Sequence, residues 1–389
     1  MSRFHSHLAS AVKIIEAYKG EEPFVHAIKK YFSANKKYGS KDRKTISSLC
    51  YNYFRAALAL KDKTVEEKIL LSLFLCEHTS SELLNTFHPE LNEQIATSTQ
   101  AKFALLQLNE DDLFPFAKKL SAEVNAKIFA TSFLQQPYLF IRIRPNRKVI
   151  VEAKLTAANI AFDHKRHDSL ILKNATALDS ILTINKDVVI QDDSSQQVLN
   201  YLNEHPISGA TDTTLTAWDC CAASGGKSIL LYDKLNKDVQ LTVSDIRENI
   251  LFNCKKRLSQ AGVNIYKSFI ADLTKDDSIK EEDQFSIIIC DVPCSGSGTW
   301  ARTPEQLGFF KPAQLDLYVE RQKLIVKNAH QHLTKGGFFF YITCSVFTKE
   351  NENVVEFIKE KTKLELLSAQ YIKGFEMKAD TMFVAVFKL

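Results

Sequence analysis

The sequence predicts an α/β protein built on a doubly wound parallel sheet, preceded by an all-α block. Three observations carry that expectation. From about residue 191, short apolar runs of strand character alternate with helical stripes, the pattern of a parallel sheet covered on both faces. From residue 1 to about 130, apolar residues instead recur at helical spacing. Gly and Pro are few, 12 and 9 in 389 residues, which argues against a disordered or low-complexity chain.

Taken in order, Leu8, Val12 and Ile15 form one helical stripe, Ile46, Leu49 and Tyr53 a second, and Leu70, Leu71, Phe74 and Leu75 a third. Residues 1–130 are therefore expected to be a helical domain. The pattern changes at Pro137, after which Tyr138 to Asn146 alternate apolar and basic residues like a strand. Residues 137–190 are expected to be a small α+β subdomain ending in the strand Asp187 to Ile190. Residues 191–389 then form the catalytic domain. Strands are predicted at Leu215 to Asp219, Val239 to Ser244, Ile265 to Ile270, Phe285 to Cys290, Phe338 to Thr343 and Met382 to Phe387. Helices are predicted from Gly225 to Leu235, Arg247 to Ala261, Pro312 to Leu333 and Asn351 to Glu360.

Composition narrows the function classes. Hydrophobic residues make up 45%, enough for sizeable cores, and no apolar run approaches the ~18 residues that would span a bilayer. The N-terminus is polar and lacks the apolar core of an export signal, so the eight cysteines are expected to be reduced thiols in a cytoplasm. The net charge is only +4 but uneven. Residues 1–65 carry 13 Lys and Arg against 5 Asp and Glu, and residues 142–173 carry 8 against 3. Two basic segments in a nearly neutral chain point to a polyanion held at chosen places.

The candidate chemistry lies at strand ends, which line the ligand crevice of a parallel sheet. Cys294 stands in Asp291-Val292-Pro293-Cys294-Ser295-Gly296-Ser297-Gly298, and Cys344 in Tyr341-Ile342-Thr343-Cys344-Ser345. Two thiols at that edge, one beside a carboxylate, suggest covalent chemistry on a carbon electrophile. A first strand leads into Cys220-Cys221-Ala222-Ala223-Ser224-Gly225-Gly226-Lys227-Ser228, whose small residues let backbone approach a ligand at a helix start. This is no P-loop, because Cys221 stands where that motif needs its first Gly. Asp245 and Asp272 end the next two strands, and with Asp291 they suit a nucleoside bearing a cationic sulfonium. The absence of a C-x-x-C pair or paired histidines argues against a metal at Cys290, Cys294 and Cys344.

Four motifs now stand in one chain: the Cys-Ala-Ala-Ser-Gly-Gly-Lys loop, Asp-Val-Pro-Cys-Ser-Gly-Ser-Gly, Thr-Cys-Ser-Val followed by Glu350-Asn351-Glu352, and Gln191-Asp192-Asp193-Ser194-Ser195-Gln196. Together they resemble the RsmB/Sun (Fmu) and NSUN family of RNA cytosine-5 methyltransferases, over roughly residues 137–389. The N-terminal block, through Asp42-Arg43-Lys44 and the run Ile46 to Arg55, resembles the NusB-like domain of that family's bacterial branch. The resemblance implies a Rossmann-like domain that uses S-adenosyl-L-methionine, a small RNA-binding subdomain, and a substrate cytosine in RNA, first of all 16S-type ribosomal RNA. It implies Cys344 as nucleophile toward cytosine C6, Cys294 as the thiol assisting product release, and Asp291 as the group on the N3 edge. It further implies that Cys220, Ala222, Ala223, Ser224, Gly225, Gly226, Lys227, Asp245, Asp272 and Asp291 hold the methyl donor, with Lys227 near its carboxylate. Arg142, Arg144, Lys165 and Arg166 are expected to contact RNA phosphates, and a monomer without membrane attachment is expected.

Three departures from the family pattern are visible. Ser224 stands where Pro is usual, Arg142-Ile143-Arg144-Pro145-Asn146 replaces Arg-Val-Asn, and Asp380-Thr381-Met382-Phe383 replaces Asp-Gly-Phe-Phe. None removes a catalytic group. A transfer-RNA substrate and a non-catalytic RNA-binding or ribosome-assembly factor are the other readings open at this point.

Overall fold

A computed structural model describes residues 2–205, 215–275 and 283–389. The chain divides into two compact units, Met1–Gln136 with Thr299–Lys311, and Pro137–Gly298 with Pro312–Leu389. Among the described residues, no helix is long and apolar enough to cross a membrane.

The first unit is helical, with Arg3–Ala17, Phe24–Ala34, Ser40–Ala56 and Val65–Cys76 as its longest helices. Their inward stripes place Leu8, Ile15, Phe24, Ile46, Leu49 and Phe74 in one core. Thr64 starts the fourth helix through a reciprocal cap: its hydroxyl accepts from Glu67 N and its own N–H donates to the Glu67 carboxylate at 2.8 Å. Thr299–Lys311, expected within the catalytic domain, packs here instead. Trp300 is buried with its ring centroid 4.9 Å from that of Phe310 and 6.3 Å from that of Phe116. The Glu305 carboxylate accepts from Phe24 N at the start of its helix. Strand and helix periodicity report local shape, and they do not say against which core a short aromatic segment is buried.

The second unit holds two sheets. β1 (Leu139–Ile143), β2 (Phe162–Arg166), β3 (Ser169–Leu172) and β4 (Val188–Ile190) form an antiparallel sheet in the order β2-β3-β1-β4. The larger sheet contains β5 (Thr216–Asp219), β6 (Gln240–Asp245), β7 (Ile265–Ile270), β8 (Phe285–Asp291), β9 (Leu333–Thr343), β10 (Glu365–Lys373) and β11 (Thr381–Lys388), in the order β10-β11-β9-β8-β5-β6-β7. β5 to β9 are parallel, their hydrophobic runs buried under helices on both faces. The sheet is not wholly parallel, because β11 runs antiparallel to both β9 and β10. β10 escaped the sequence pattern because, as an edge strand, most of it is only partly buried, so no clean alternation marks it.

The two sheets are tied by buried charge. Arg142 and Arg144, expected on an RNA-facing surface, are 7% and 6% exposed. Arg142 donates to Asp233 Oδ2 at 2.6 Å, and Arg144 donates through Nε and Nη2 to Asp233 Oδ1 at 3.1 and 2.9 Å. Arg142 Nε also donates to Gln191 Oε1. The alternating Arg-Ile-Arg puts both guanidiniums on one face of β1, and that face is turned inward against the helix Gly226–Lys234, which carries Asp233. Asp233→Ala would leave two buried cations without a carboxylate, and we expect it to cost about 3–5 kcal/mol of unfolding free energy. Urea denaturation measures this, and a loss under about 1 kcal/mol would show the pair to be dispensable.

Candidate active site

The carboxyl ends of β5, β6 and β8 each finish on an aspartate: Asp219, Asp245 and Asp291. β9 ends at Thr343, next to Cys344. Parallel register sets these residues along one sheet edge. The loops after β8 and β9 converge there, and the Sγ atoms of Cys294 and Cys344 lie 3.3 Å apart. The hydrogen bond to Cys344, followed by burial, pushes the Cys294 thiol well above the usual thiol range. Cys294 therefore keeps its proton, with the Cys344 sulfur at hydrogen-bond distance.

A single carboxylate holds both loops. Glu350, fully buried, accepts from Ser295 N at 2.8 Å, Ser295 Oγ at 2.5 Å, Ser345 Oγ at 2.5 Å and Gln322 Nε2 at 3.0 Å. Ser295 follows Cys294 and Ser345 follows Cys344. The Tyr341 hydroxyl donates to the Glu350 carbonyl, and Asn351 donates to Ser345 O at 2.8 Å while accepting from the Thr343 hydroxyl at 2.6 Å. Gly298 N donates to Cys344 O, and a Cβ at Gly298 would stand 2.2 Å from Thr381 O, which is why a glycine is needed at this crossing. Sequence reasoning quoted Glu350 and Asn351 as part of a motif without a role. Their position a few residues beyond Cys344 was the available clue.

The turn after β5 brings backbone against the strand-end carboxylates. Ala223 and Gly225 have positive φ, and Ala223 N donates to Asp245 Oδ2 at 3.0 Å. Ser224, the departure from the family's Pro, accepts through its hydroxyl from Arg257 Nη1 at 2.9 Å. Arg257 Nε donates to Asn185 Oδ1, so Arg257 braces this turn.

Asp245 also accepts from Arg247 N, Nε and Nη2. Burial opposes its charge, yet the Arg247 bonds outweigh it and hold the carboxyl below its ordinary value. Arg247 and the neighbouring exposed Ile246 were missed in the sequence because neither belongs to a quoted motif. Asp272 accepts from Thr274 N and Oγ1, bonds that lower its pKa. Lys227, expected at a ligand carboxylate, instead donates to Asp291 Oδ2 at 2.5 Å. Burial works against its ammonium, but Asp291 and then the nearby Cys344 and Asp219 raise its pKa above the usual lysine value. Asp219 accepts from the Ser228 hydroxyl through Oδ2, while its buried Oδ1 has no hydrogen-bond partner among the described residues.

The remaining sequence-predicted residues lie apart from the thiols. Cys220 is buried behind the edge, with Ala222 N bonded to Ser244 O. Arg166 donates to buried Asp193 at 2.5 Å, and Lys165 lies against Met377 Sδ. The Gln191–Gln196 segment braces the small sheet, through Gln191 to Arg142 and Asp193 to Arg166.

A seven-stranded sheet with this order and a Gly-containing turn after its first parallel strand is the architecture of Rossmann-like methyltransferases. Solved relatives share the fold. The NSun6 structure from Pyrococcus horikoshii with SFG superposes at a TM-score of 0.60 with 13% identity, covering 70% of this chain and 96% of that one. A methyltransferase homologue from the same organism superposes at 0.56 with 20% identity, covering 76% and 97%. Residues 210–386 match the family described as 16S rRNA methyltransferase RsmB/F. Among curated relatives, the probable ribosomal RNA small subunit methyltransferase B of Bacillus subtilis is 30% identical over 199 residues, 51% of this chain and 43% of that protein. The corresponding protein of Xanthomonas campestris is 26% identical over 216 residues, 53% and 48%. The matches thus span about half the length of these relatives.

Two outcomes follow from the site's protonation. Replacing Cys344 by Ala removes the bond that raises the Cys294 thiol, so the pH midpoint of Cys294 alkylation by iodoacetamide, read by mass spectrometry, is expected to move down. A midpoint that stays or rises would show that the two sulfurs do not share a proton. Burial pushes Asp219 from 3.8 up to about 7. Between those values the folded state holds a proton that the unfolded chain releases, so the stability tied to Asp219 is full on the acid side and falls as pH rises to about 7. Asp219→Asn removes that slope. Urea denaturation of both proteins at about pH 5 and about pH 8 should show the variant gaining on the wild type at the higher pH, and parallel losses would contradict the assignment.

Proposed function

We propose that this chain transfers a methyl group from S-adenosylmethionine to C5 of a cytosine in RNA, with small-subunit ribosomal RNA as the first substrate to test. The observation that carries the reading is the pair of thiols 3.3 Å apart beside the Asp291–Lys227 ion pair. The family description matched by residues 210–386 and the relatives' names support RNA methylation.

The residues present fit the donor. A turn with positive φ at Ala223 and Gly225 exposes backbone where side chains would intrude, and Asp245 supplies negative charge beside it. Asp245 would take the ribose hydroxyls, exchanging some of its bonds to Arg247, whose side chain is 57% exposed and free to withdraw. The donor supplies an electrophilic methyl group on a sulfonium.

Cytosine C5 is a weak nucleophile, and addition of the Cys344 thiolate at C6 turns it into an enamine-like carbon. The addition needs that sulfur as its thiolate, and Lys227 lies within electrostatic reach of Cys344. Asp291 holds the N3 edge of the base, and the Asp291–Lys227 pair supplies the hydrogen bonding that draws electron density toward N3. After methylation a water molecule takes the C5 proton, the C5–H electron pair forms the C5–C6 double bond, and the C6–S bond breaks with its electron pair returning to Cys344. Cys294 S–H donates to that departing thiolate, which favours release. The target base must leave its stack to reach this edge.

Transfer of labelled methyl from S-adenosylmethionine to bulk ribosomal and transfer RNA tests the reading. Wild type is expected to yield labelled 5-methylcytidine in ribosomal RNA, Cys344→Ala to lose roughly 10³-fold or more of the rate, and Cys294→Ala to accumulate a covalent RNA adduct. Label confined to transfer RNA would change the substrate. Activity surviving Cys344→Ala but not Cys294→Ala would reverse the two thiols. No transfer by wild type would favour a non-catalytic RNA-binding factor.

A further inference from the structure

Away from the thiols, a cavity of about 340 Å³ opens between the small sheet and the helix Gly226–Lys234. Arg142, Arg166, Ser169 and Lys234 line it, with the amides of Asn200 and Asn203 at its side. Arg142 and Ser169 are direct cross-strand partners of β1 and β3, so their side chains project from the same face a few ångströms apart. Both present a buried donor with no partner among the described residues: Arg142 Nη2 and Ser169 Oγ. Each residue is more than nine-tenths buried, at 7% and 1% exposure.

The nearby carboxylates are already committed. Asp233 is bonded to Arg142 and Arg144, Asp193 to Arg166, and Asp168 to His167. Among the described residues, Lys234 donates to the neutral side-chain carbonyls of Asn200 and Asn203, at 3.2 and 2.8 Å, and pairs with no carboxylate. Burial, then repulsion from Arg142 and Arg166, lowers its pKa to about 8. An orphaned guanidinium N–H, an orphaned hydroxyl and an ammonium without a carboxylate thus converge on one concavity. Leaving such donors unmade costs about 1–3 kcal/mol each, and a tetrahedral oxyanion satisfies all three at once.

We infer that this cavity binds one phosphate group, held by Arg142 Nη2, Ser169 Oγ and Lys234 Nζ. The group comes either from an RNA backbone or from a small phosphorylated ligand. The RNA source rests on the proposed function, whereas the site itself does not.

The full-length chain allows a direct test. Lys234 acylation by acetic anhydride is followed by mass spectrometry in inorganic phosphate, in chloride of equal ionic strength, and with a single-stranded RNA oligonucleotide. RNA affinity is measured against salt for wild type, Lys234→Gln and Ser169→Ala, with thermal unfolding as the check on folding. Phosphate is expected to slow Lys234 acylation several-fold over chloride, and to lose that effect in Ser169→Ala. Protection by RNA, with a salt slope about 0.7 smaller in Lys234→Gln, assigns the phosphate to the RNA backbone. Protection by inorganic phosphate with an unchanged RNA slope assigns it to a small ligand. If neither phosphate nor RNA protects Lys234 beyond chloride, the cavity holds water only and the inference is overturned. No readout uses methyl transfer, so a failed methylation assay with phosphate protection intact would remove the catalytic reading and leave this site standing.

Discussion

The two thiols can act together only because one buried carboxylate holds the loops that carry them. Glu350 accepts from both Ser295 and Ser345, each one residue past a cysteine. β8 and β9 bring the loop bases together through their ladder, but a ladder ends where the strands end. Beyond it, the backbone is set by charge-assisted hydrogen bonds, which are stronger and more directional than neutral ones. Gln322 and Tyr341 complete the shell from a helix and a strand. The 3.3 Å sulfur separation is thus the product of a polar network centred on the fully buried Glu350.

The rest of the edge follows the same economy of charge. Asp219, Asp245 and Asp291 end neighbouring strands, and each is treated differently. Asp219 is buried with only a hydroxyl donor and is driven toward the neutral form. Asp245 is held ionised by Arg247 and a backbone N–H. Asp291 meets the Lys227 ammonium. Asp219 and Asp245, identical side chains on one edge, are thereby shifted in opposite directions, which is how a single fold can hold a polar ligand and also manage a proton.

Much of this was legible in the chain. Short apolar runs leading into Asp marked β5, β6 and β8, because buried parallel strands must be apolar until they emerge at the crevice. The motif around each cysteine located both loops. The burial of Arg142 and Arg144 against a carboxylate was not legible, since an alternating basic strand looks like an open phosphate-binding face unless the partner is known. That partner, Asp233, lies about ninety residues away on a helix. Thr299–Lys311 was misassigned for a similar reason: its aromatic residues advertise burial, but not in which core.

The sequence by itself determined the local elements, the order of the parallel strands' ends, and the residue types offered at the edge, because periodicity and turn chemistry act over a few residues. Only the tertiary structure decided which charges meet. It paired Lys227 with Asp291, set Glu350 beneath both cysteines, and left Arg142 and Ser169 facing a cavity with donors unmade. The physical reason is range: a hydrogen bond or ion pair depends on distances of about 3 Å between groups far apart along the chain, and those distances exist only once the two sheets have packed.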